Sequence, residues 1–184
     1  MKKIILTSMV LAMATSGVFA QKYLTRTGKV TFDATTPTSP EKIAAINNEV
    51  STVFDAKVGN ILFQVPVKSF KFKNALMQEH FNENYMESDK FPKADFKGNI
   101  TNLSDVNFSK DGTYKTTVSG SLTIHGVTNS VTVSGTATVT GNTVMLKATF
   151  PAKLAEYKIS VPGLVADKVA KEASVIMECS LTQK

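Results

Sequence analysis

Apolar and small polar residues alternate with a period of two along most of the chain. In "TYKTTVSGSLTI", Tyr114, Val118, Leu122 and Ile124 share one face, and Lys115, Thr117, Ser119 and Thr123 share the other. "VTVSGTATV" sets Val131, Val133, Ala137 and Val139 against Thr132, Ser134, Thr136 and Thr138. "TVMLKATF" groups Val144, Leu146, Ala148 and Phe150, and "SVIMECSLT" groups Val175, Met177, Cys179 and Leu181. With "LTRTGKVTFD", "STVFDAKV", "NILFQVPV" and "KADFKGNIT", this pattern predicts eight strands. Asp111-Gly112 and Gly141-Asn142 supply hairpin turns. In the "NILFQVPV" region the apolar phase switches, from Ile61, Phe63, Val65 and Val67 to Phe70 and Phe72. The switch predicts a β-bulge near Lys68-Ser69, and Pro66 marks an edge or a break in the ladder.

Three stretches depart from this period and read as helices. "SPEKIAAINNEV" offers Ser39 as N-cap and Pro40 at the first helical position. "GLVADKVAKEA" spaces Leu164, Val165, Lys168 and Val169 helically. The third, within "LMQEHFNENYMESDKFPKADFKG", puts Met77, Phe81 and Tyr85 four residues apart, with Leu76 and His80 beside them. Glu79, Glu83 and Glu87 fall on its other face, Asn74 can cap it and Pro92 follows its end. This is an amphipathic helix expected to lie over one mouth of the sheet structure.

Antiparallel strands of this number close into a barrel or pack as a sandwich. Many inward positions are small: Ala94, Gly98, Gly120, Gly135, Ala137 and Ala148. Phe32, Phe63, Phe96, Tyr114 and Phe150 are large. Small inward residues either leave a lumen for a ligand or relieve crowding at barrel corners, and both readings stay open. The outward faces carry Thr, Ser, Lys and Asn, and there is no Trp. A lipid-facing outer wall with aromatic girdles is therefore excluded, and the apolar face must point inward.

The first twenty residues stand apart. Lys2 and Lys3 precede the apolar run "IILTSMVLAMATSGV", and Val18 and Ala20 flank a cleavage point. This reads as a secretory signal peptide over residues 1–20, with export to the periplasm and one domain over residues 21–184. The run is short for a bilayer, so no integral membrane span is expected. The net charge of +6 falls to +4 once Lys2 and Lys3 are set aside, and no basic cluster marks a nucleic-acid partner. With one cysteine there is no internal disulfide, so the fold must rest on its core.

Candidate chemistry is sparse. His80 and His125 are the only histidines, too few for a zinc site with the lone Cys179. His80 is expected to pack between helix and barrel, and His125 to bond loop backbone beside Gly126. Glu79, Glu83 and Glu87 read as a solvated face, and Cys179 as a small buried hydrophobe. Arg26 shares parity with Val30 and Phe32, which turns it inward unless the edge twists and leaves it on the rim. No serine-nucleophile motif occurs. No catalytic residue, metal or cofactor is expected.

The run "LMQEHFNENYMESDKFPKADFKGNI" followed by "GSLTIHGVTNSVTV" closely resembles the YceI-like family, also called polyisoprenoid-binding or lipid-binding-like. The resemblance covers nearly all of residues 21–184. It implies an all-β, eight-stranded, antiparallel lipocalin-like barrel with short helices covering it, and an isoprenoid-type lipid, polyprenyl or quinone-like, as the ligand. The family often carries an Arg-Asp-aromatic-Gly run where this chain has "LAEYKISVPG", so a head-group role for that Arg does not transfer. Together with the inward periods, the resemblance implies a ligand-binding set of Phe32, Phe63, Phe70 and Phe72, then Leu76, Met77, Phe81 and Tyr85 on the helix. Phe96, Tyr114, Leu122, Ile124, Leu146 and Phe150 complete it from later strands. An enzyme acting on such a lipid, and a ligand-free stress or partner protein, are the alternatives. A homodimer is left open.

Overall fold

The computed structural model describes residues 21–184, and the expected leader lies outside them. Its strands are β1 (Lys22–Thr35), β2 (Ala44–Asp55), β3 (Asn60–Pro66), β4 (Lys71–Phe72), β5 (Lys93–Ile100), β6 (Gly112–Ile124), β7 (Val127–Thr140), β8 (Thr143–Lys153) and β9 (Val169–Gln183). They pair antiparallel in the order β1-β9-β8-β7-β6-β5-β3-β2, and β1 pairs back onto β2. Eight long strands thus form a closed barrel, which leaves no long free edge. The two-residue β4 only extends the ladder of β2 at Ala45 and Ile46.

One end of the barrel is a packed core. Phe54 lies 6.0 Å from Tyr23 and 5.0 Å from Phe108, ring centre to ring centre. Val139, Val144, Cys179 and Leu181 are sealed beside them. Phe108 comes from the β5–β6 connection, which folds under the barrel as a floor. Cys179 is wholly buried, as its inward phase requires, and burial pushes its thiol above the ordinary value. Gly28 has no side chain because a Cβ there would strike the Cys179 sulfur.

Three local expectations are overturned. The stretch from Ser39 is not a helix. The Ser39 hydroxyl accepts from the Thr36 N–H at 2.9 Å and donates to the Lys168 carbonyl, tying a turn together rather than capping. Ala44 onward is β2, with Ala45, Asn47, Val50, Thr52 and Phe54 buried. Its period breaks once, at Asn48-Glu49. There the partners step from Val30↔Asn47 to Gly28↔Val50, an extra residue that imitates helical spacing. In the "GLVADKVAKEA" stretch only Gly163–Val165 makes a short 3₁₀ turn, and Val169 already pairs with Thr35 in β9. The bulge expected at Lys68-Ser69 is instead a 3₁₀ turn, Val67–Ser69, in which the Phe70 N–H donates to the Val67 carbonyl at 3.2 Å. The turn changes the inward phase as a bulge would, and buries both Val67 and Phe70.

The wall is not uniform in height. The β7–β8 ladder runs from Thr140↔Thr143 only as far as Gly135↔Ala148. Beyond it, Val127–Ser134 pairs with β6 alone and Thr149–Lys153 with β9 alone, among the described residues. The two strands part toward the end opposite the core. A 3₁₀ turn, Leu154–Tyr157, fills the cleft, and the Asn129 side-chain amide donates to its Glu156 carbonyl at 2.9 Å.

Candidate functional site

Above the packed core the barrel encloses a cavity of about 210 Å³. Apolar side chains line it from every long strand: Val30 and Phe32 of β1, Val50 of β2, Phe63 of β3, Phe96 of β5, and Leu122 and Ile124 of β6. Val131, Val133, Leu146, Phe150, Val175 and Met177 continue the lining around β7, β8 and β9. Five residues with polar side chains border it, and three of them take the outward phase. Asp95 is held outside by Gln64 at 3.1 Å, Lys147 by Glu178 at 2.8 Å, and Thr136 faces Lys115 across the ladder. Thr116 is the one strand residue of the lining whose polar side chain has the inward phase, and it is buried, as is Tyr157, which brings a phenol from the turn at the rim.

The small inward residues divide into two uses. Gly98 and Gly120 face each other across β5 and β6. A Cβ on Gly98 would lie 2.5 Å from the Phe96 ring, and one on Gly120 2.8 Å from it. They give the Phe96 ring a flat bed. Ala137 is buried in the core. Gly135, Ala148 and Ala94 border the cavity itself. Both readings left open by the sequence therefore operate, at different positions.

The mouth is covered by the third expected helix. Helix α1 is Ala75–His80, and the Asn74 carboxamide oxygen accepts from the N–H groups of Leu76 at 3.0 Å and Met77 at 3.3 Å. It continues as a π turn, Phe81–Tyr85, closed by the Met86 N–H donating to the Phe81 carbonyl at 2.9 Å. The π turn moves the inward phase from the fourth residue to the fifth, so Phe81 and Met86 line the cavity and Tyr85 does not. Phe81 closes an aromatic cluster, with ring centres 5.5 Å from Phe32, 5.5 Å from Phe70 and 5.0 Å from Phe72.

Of the residues expected in the ligand-binding set, Phe32, Phe63, Phe70, Phe81 and Phe96 border the cavity, as do Leu122, Ile124, Leu146 and Phe150. Phe72 stands behind Phe32 and Phe81, and Tyr114 sits toward the closed end, its hydroxyl donating to the Lys110 carbonyl at 2.9 Å. Met77 and Tyr85 are half-buried outside the lining, and Leu76 is 57% exposed. The six-residue α1 contributes no buried residue. His80 is accordingly exposed rather than packed, and Arg26 is exposed within β1, at the irregularity between Thr25 and Gly28. Sequence reasoning missed Met86, Leu154, Tyr157 and Ile159, which line the mouth. Only the apolar content of "LAEYKI" could have pointed to the last three.

A polar clasp holds this rim. His125, in the β6–β7 turn, bonds the Tyr157 carbonyl through Nδ1 at 3.1 Å and the Glu87 carboxylate through Nε2 at 2.7 Å. The Phe91 ring packs edge-on against the imidazole, 4.7 Å between centres, and lies over Gly126, whose φ of 72° suits a residue without Cβ. Glu87, His125 and Lys158 are the non-glycine residues with left-handed backbone among the described residues. Such residues cost about 1–3 kcal/mol each, so surrounding contacts must hold them in place. All three converge on the Tyr157 turn. Burial also pushes the Tyr157 phenol above its ordinary value. No cluster of three or more metal-ligating side chains occurs among the described residues.

This geometry defines a class: a closed antiparallel barrel around an apolar internal cavity, like that of the lipocalins. The YceI-like domain matches residues 6–180, and the chain belongs to that family. Solved structures agree on the fold. A polyisoprenoid-binding domain from Saccharophagus degradans superposes with a TM-score of 0.76 at 12% identity, covering 90% of this chain and 99% of that one. Burkholderia cenocepacia BcnA gives 0.67 at 20% identity, covering 84% and 96%. The Campylobacter jejuni YceI protein gives 0.61 at 14% identity, covering 81% and 90%. A search of curated proteins finds no significant match.

Proposed function

We propose that the protein is exported to the periplasm and there binds or carries a long apolar isoprenoid-type lipid, polyprenyl or quinone-like, in its lumen. The carrying observation is the lining: apolar side chains from all eight long strands, with Thr116 as the inward polar group of the strands and the Tyr157 phenol at the rim. Such a wall offers a chain about 0.8 kcal/mol per buried methylene and little to a polar guest. The polyisoprenoid-binding domain of Saccharophagus degradans, similar in fold, lends weight to the choice of ligand class. The N-terminal charge and apolar run support export, and no helix among the described residues is long and apolar enough to cross a membrane.

The role is binding rather than turnover. The cavity lining places no carboxylate and imidazole together, and His125 is engaged at the rim. Native mass spectrometry with lipid extraction, on protein purified from its own periplasm, tests the reading. An isoprenoid released on denaturation is expected. Protein that emerges empty, or that turns over an added isoprenoid in a His125-dependent way, would overturn it.

A further inference from the structure

We propose that the segment from Lys158 to Lys171, the β8–β9 connection with the first residues of β9, docks the barrel, mouth first, on an anionic lipid bilayer. The inference rests on the carrier reading for its purpose but not for its evidence. Leu164 is 92% exposed, the highest value among the large apolar residues described, and Leu76 is second at 57%. Both are at the mouth end and both are tied to the same β1–β2 connection. The Thr36 and Thr38 hydroxyls donate to the Asp167 carbonyl at 2.8 and 2.6 Å, beside Leu164. The Asn74 amide that precedes Leu76 donates to Glu41 at 3.2 Å. Two unpartnered leucines thus flank one turn at the open end.

The loop also links this tip to the lumen. Ile159 lines the cavity, Val161 and Val165 are half-buried, Pro162 is exposed, and Leu164 stands in solvent. An apolar track therefore runs from the cavity wall to the protein surface within a few residues. Lys158, Lys168 and Lys171 border it and form no ion pair among the described residues, and Lys42 lies in the turn beneath. Asp167 and Glu172 oppose them, and Glu41 in that turn, Glu79 on α1 and Glu83 in the π turn are exposed. The attraction is local to the loop, and a mild salt dependence is expected. Exposed apolar side chains ringed by lysine suit the boundary between headgroups and acyl chains of an anionic leaflet.

Flotation of the purified protein with phosphatidylethanolamine–phosphatidylglycerol vesicles tests this, with phosphatidylcholine vesicles as the neutral comparison. Leu164→Asp should lower recovery with the anionic vesicles about tenfold. Val58→Asp, at the opposite end where Val58 is 52% exposed, should not change it. A K158E/K168E/K171E variant should lose the preference for anionic over neutral vesicles. Thermal melts confirm that each variant is folded, and geranylgeraniol uptake from solution is measured in parallel. If the wild type does not float, or Leu164→Asp floats as well as wild type, the docking surface is refuted and the carrier reading stands on the uptake data alone. If flotation depends on Leu164 but no geranylgeraniol is bound, the docking surface stands and the carrier reading falls. Retention by a protein partner through Leu164, without vesicle binding, also overturns the proposal.

Discussion

Ala148→Phe separates a functional lumen from a packing defect. Ala148 borders the cavity and pairs with Gly135 on β7, which has no side chain to meet an added ring. The ring enters existing space. Filling about 100 Å³ at about 24 cal/mol per Å³ would stabilise by about 2.4 kcal/mol if the fit were ideal. Off-rotamer strain of about 1–3 kcal/mol opposes it, so unfolding free energy in urea should move by no more than about 1 kcal/mol either way. Binding should move much further. A phenyl ring excludes about four methylenes of guest, worth about 3 kcal/mol, or more than a hundredfold in affinity if the guest cannot shift. A guest that slides toward the mouth recovers part of this, so a loss of at least about tenfold is expected for geranylgeraniol by fluorescence displacement. A folded variant that binds within about threefold of wild type would refute the lumen as the binding site. The space is preferable at Ala148 to that at Gly120 or Ala137, where backbone or buried core leaves none.

Phe81→Ala removes the central ring of the mouth cluster and should speed release of geranylgeraniol in stopped flow while far-UV strand content stays unchanged; equal release rates would show that the π turn does not gate the lumen. Gly120→Ala drives a Cβ onto the Lys97 carbonyl and to 2.5 Å from the Gly98 Cα, and should cost about 3 kcal/mol or more in urea unfolding, where a loss below about 1 kcal/mol would contradict the close strand approach. On the outer wall Lys147 and Lys29 each reach Glu178 at 2.8 Å and hold its carboxyl near 2, from 4.5. A folded value below the unfolded one stabilises above pH 4.5 and is lost as pH falls toward 2, so the stability gap between wild type and Glu178→Gln should close across that window. A gap that stays constant there would sink the argument.

The barrel was legible because one face of each strand is buried, which writes a period of two into the sequence. It failed where the backbone inserts a residue. At Asn48-Glu49 the bulge of β2 shifts the phase, and Ser39-Pro40 upstream then imitates a helix start. At Val67–Ser69 a turn and a bulge produce the same phase change, and residue spacing cannot separate them. The mouth was half legible. Asn74 and its cap are local chemistry and were readable, whereas the π turn that exchanges Tyr85 for Met86 is decided by packing against Phe32, Phe70 and Phe72 from distant strands. Leu154, Tyr157 and Ile159 were invisible for a related reason: a connecting loop carries no period, and only the parting of β7 and β8 gives those side chains a place.

That parting gives the barrel the mechanics of a collet. Below Gly135 and Ala148 the wall is a continuous hoop, and widening it means breaking ladder hydrogen bonds around the ring. Above them the hoop is slit, and girth can grow by flexing β8 and β9 away from β7 against the Leu154–Tyr157 wedge, its Asn129 bond and the His125 bond to the Tyr157 carbonyl. The stiff end is also the sealed end, where Tyr23, Phe54 and Phe108 set a fixed depth. A guest in the lumen would therefore be gauged for thickness at its buried tip and tolerated in thickness at its outer end. Branched or bulky groups would fit near the rim, and slender chains alone would reach the floor.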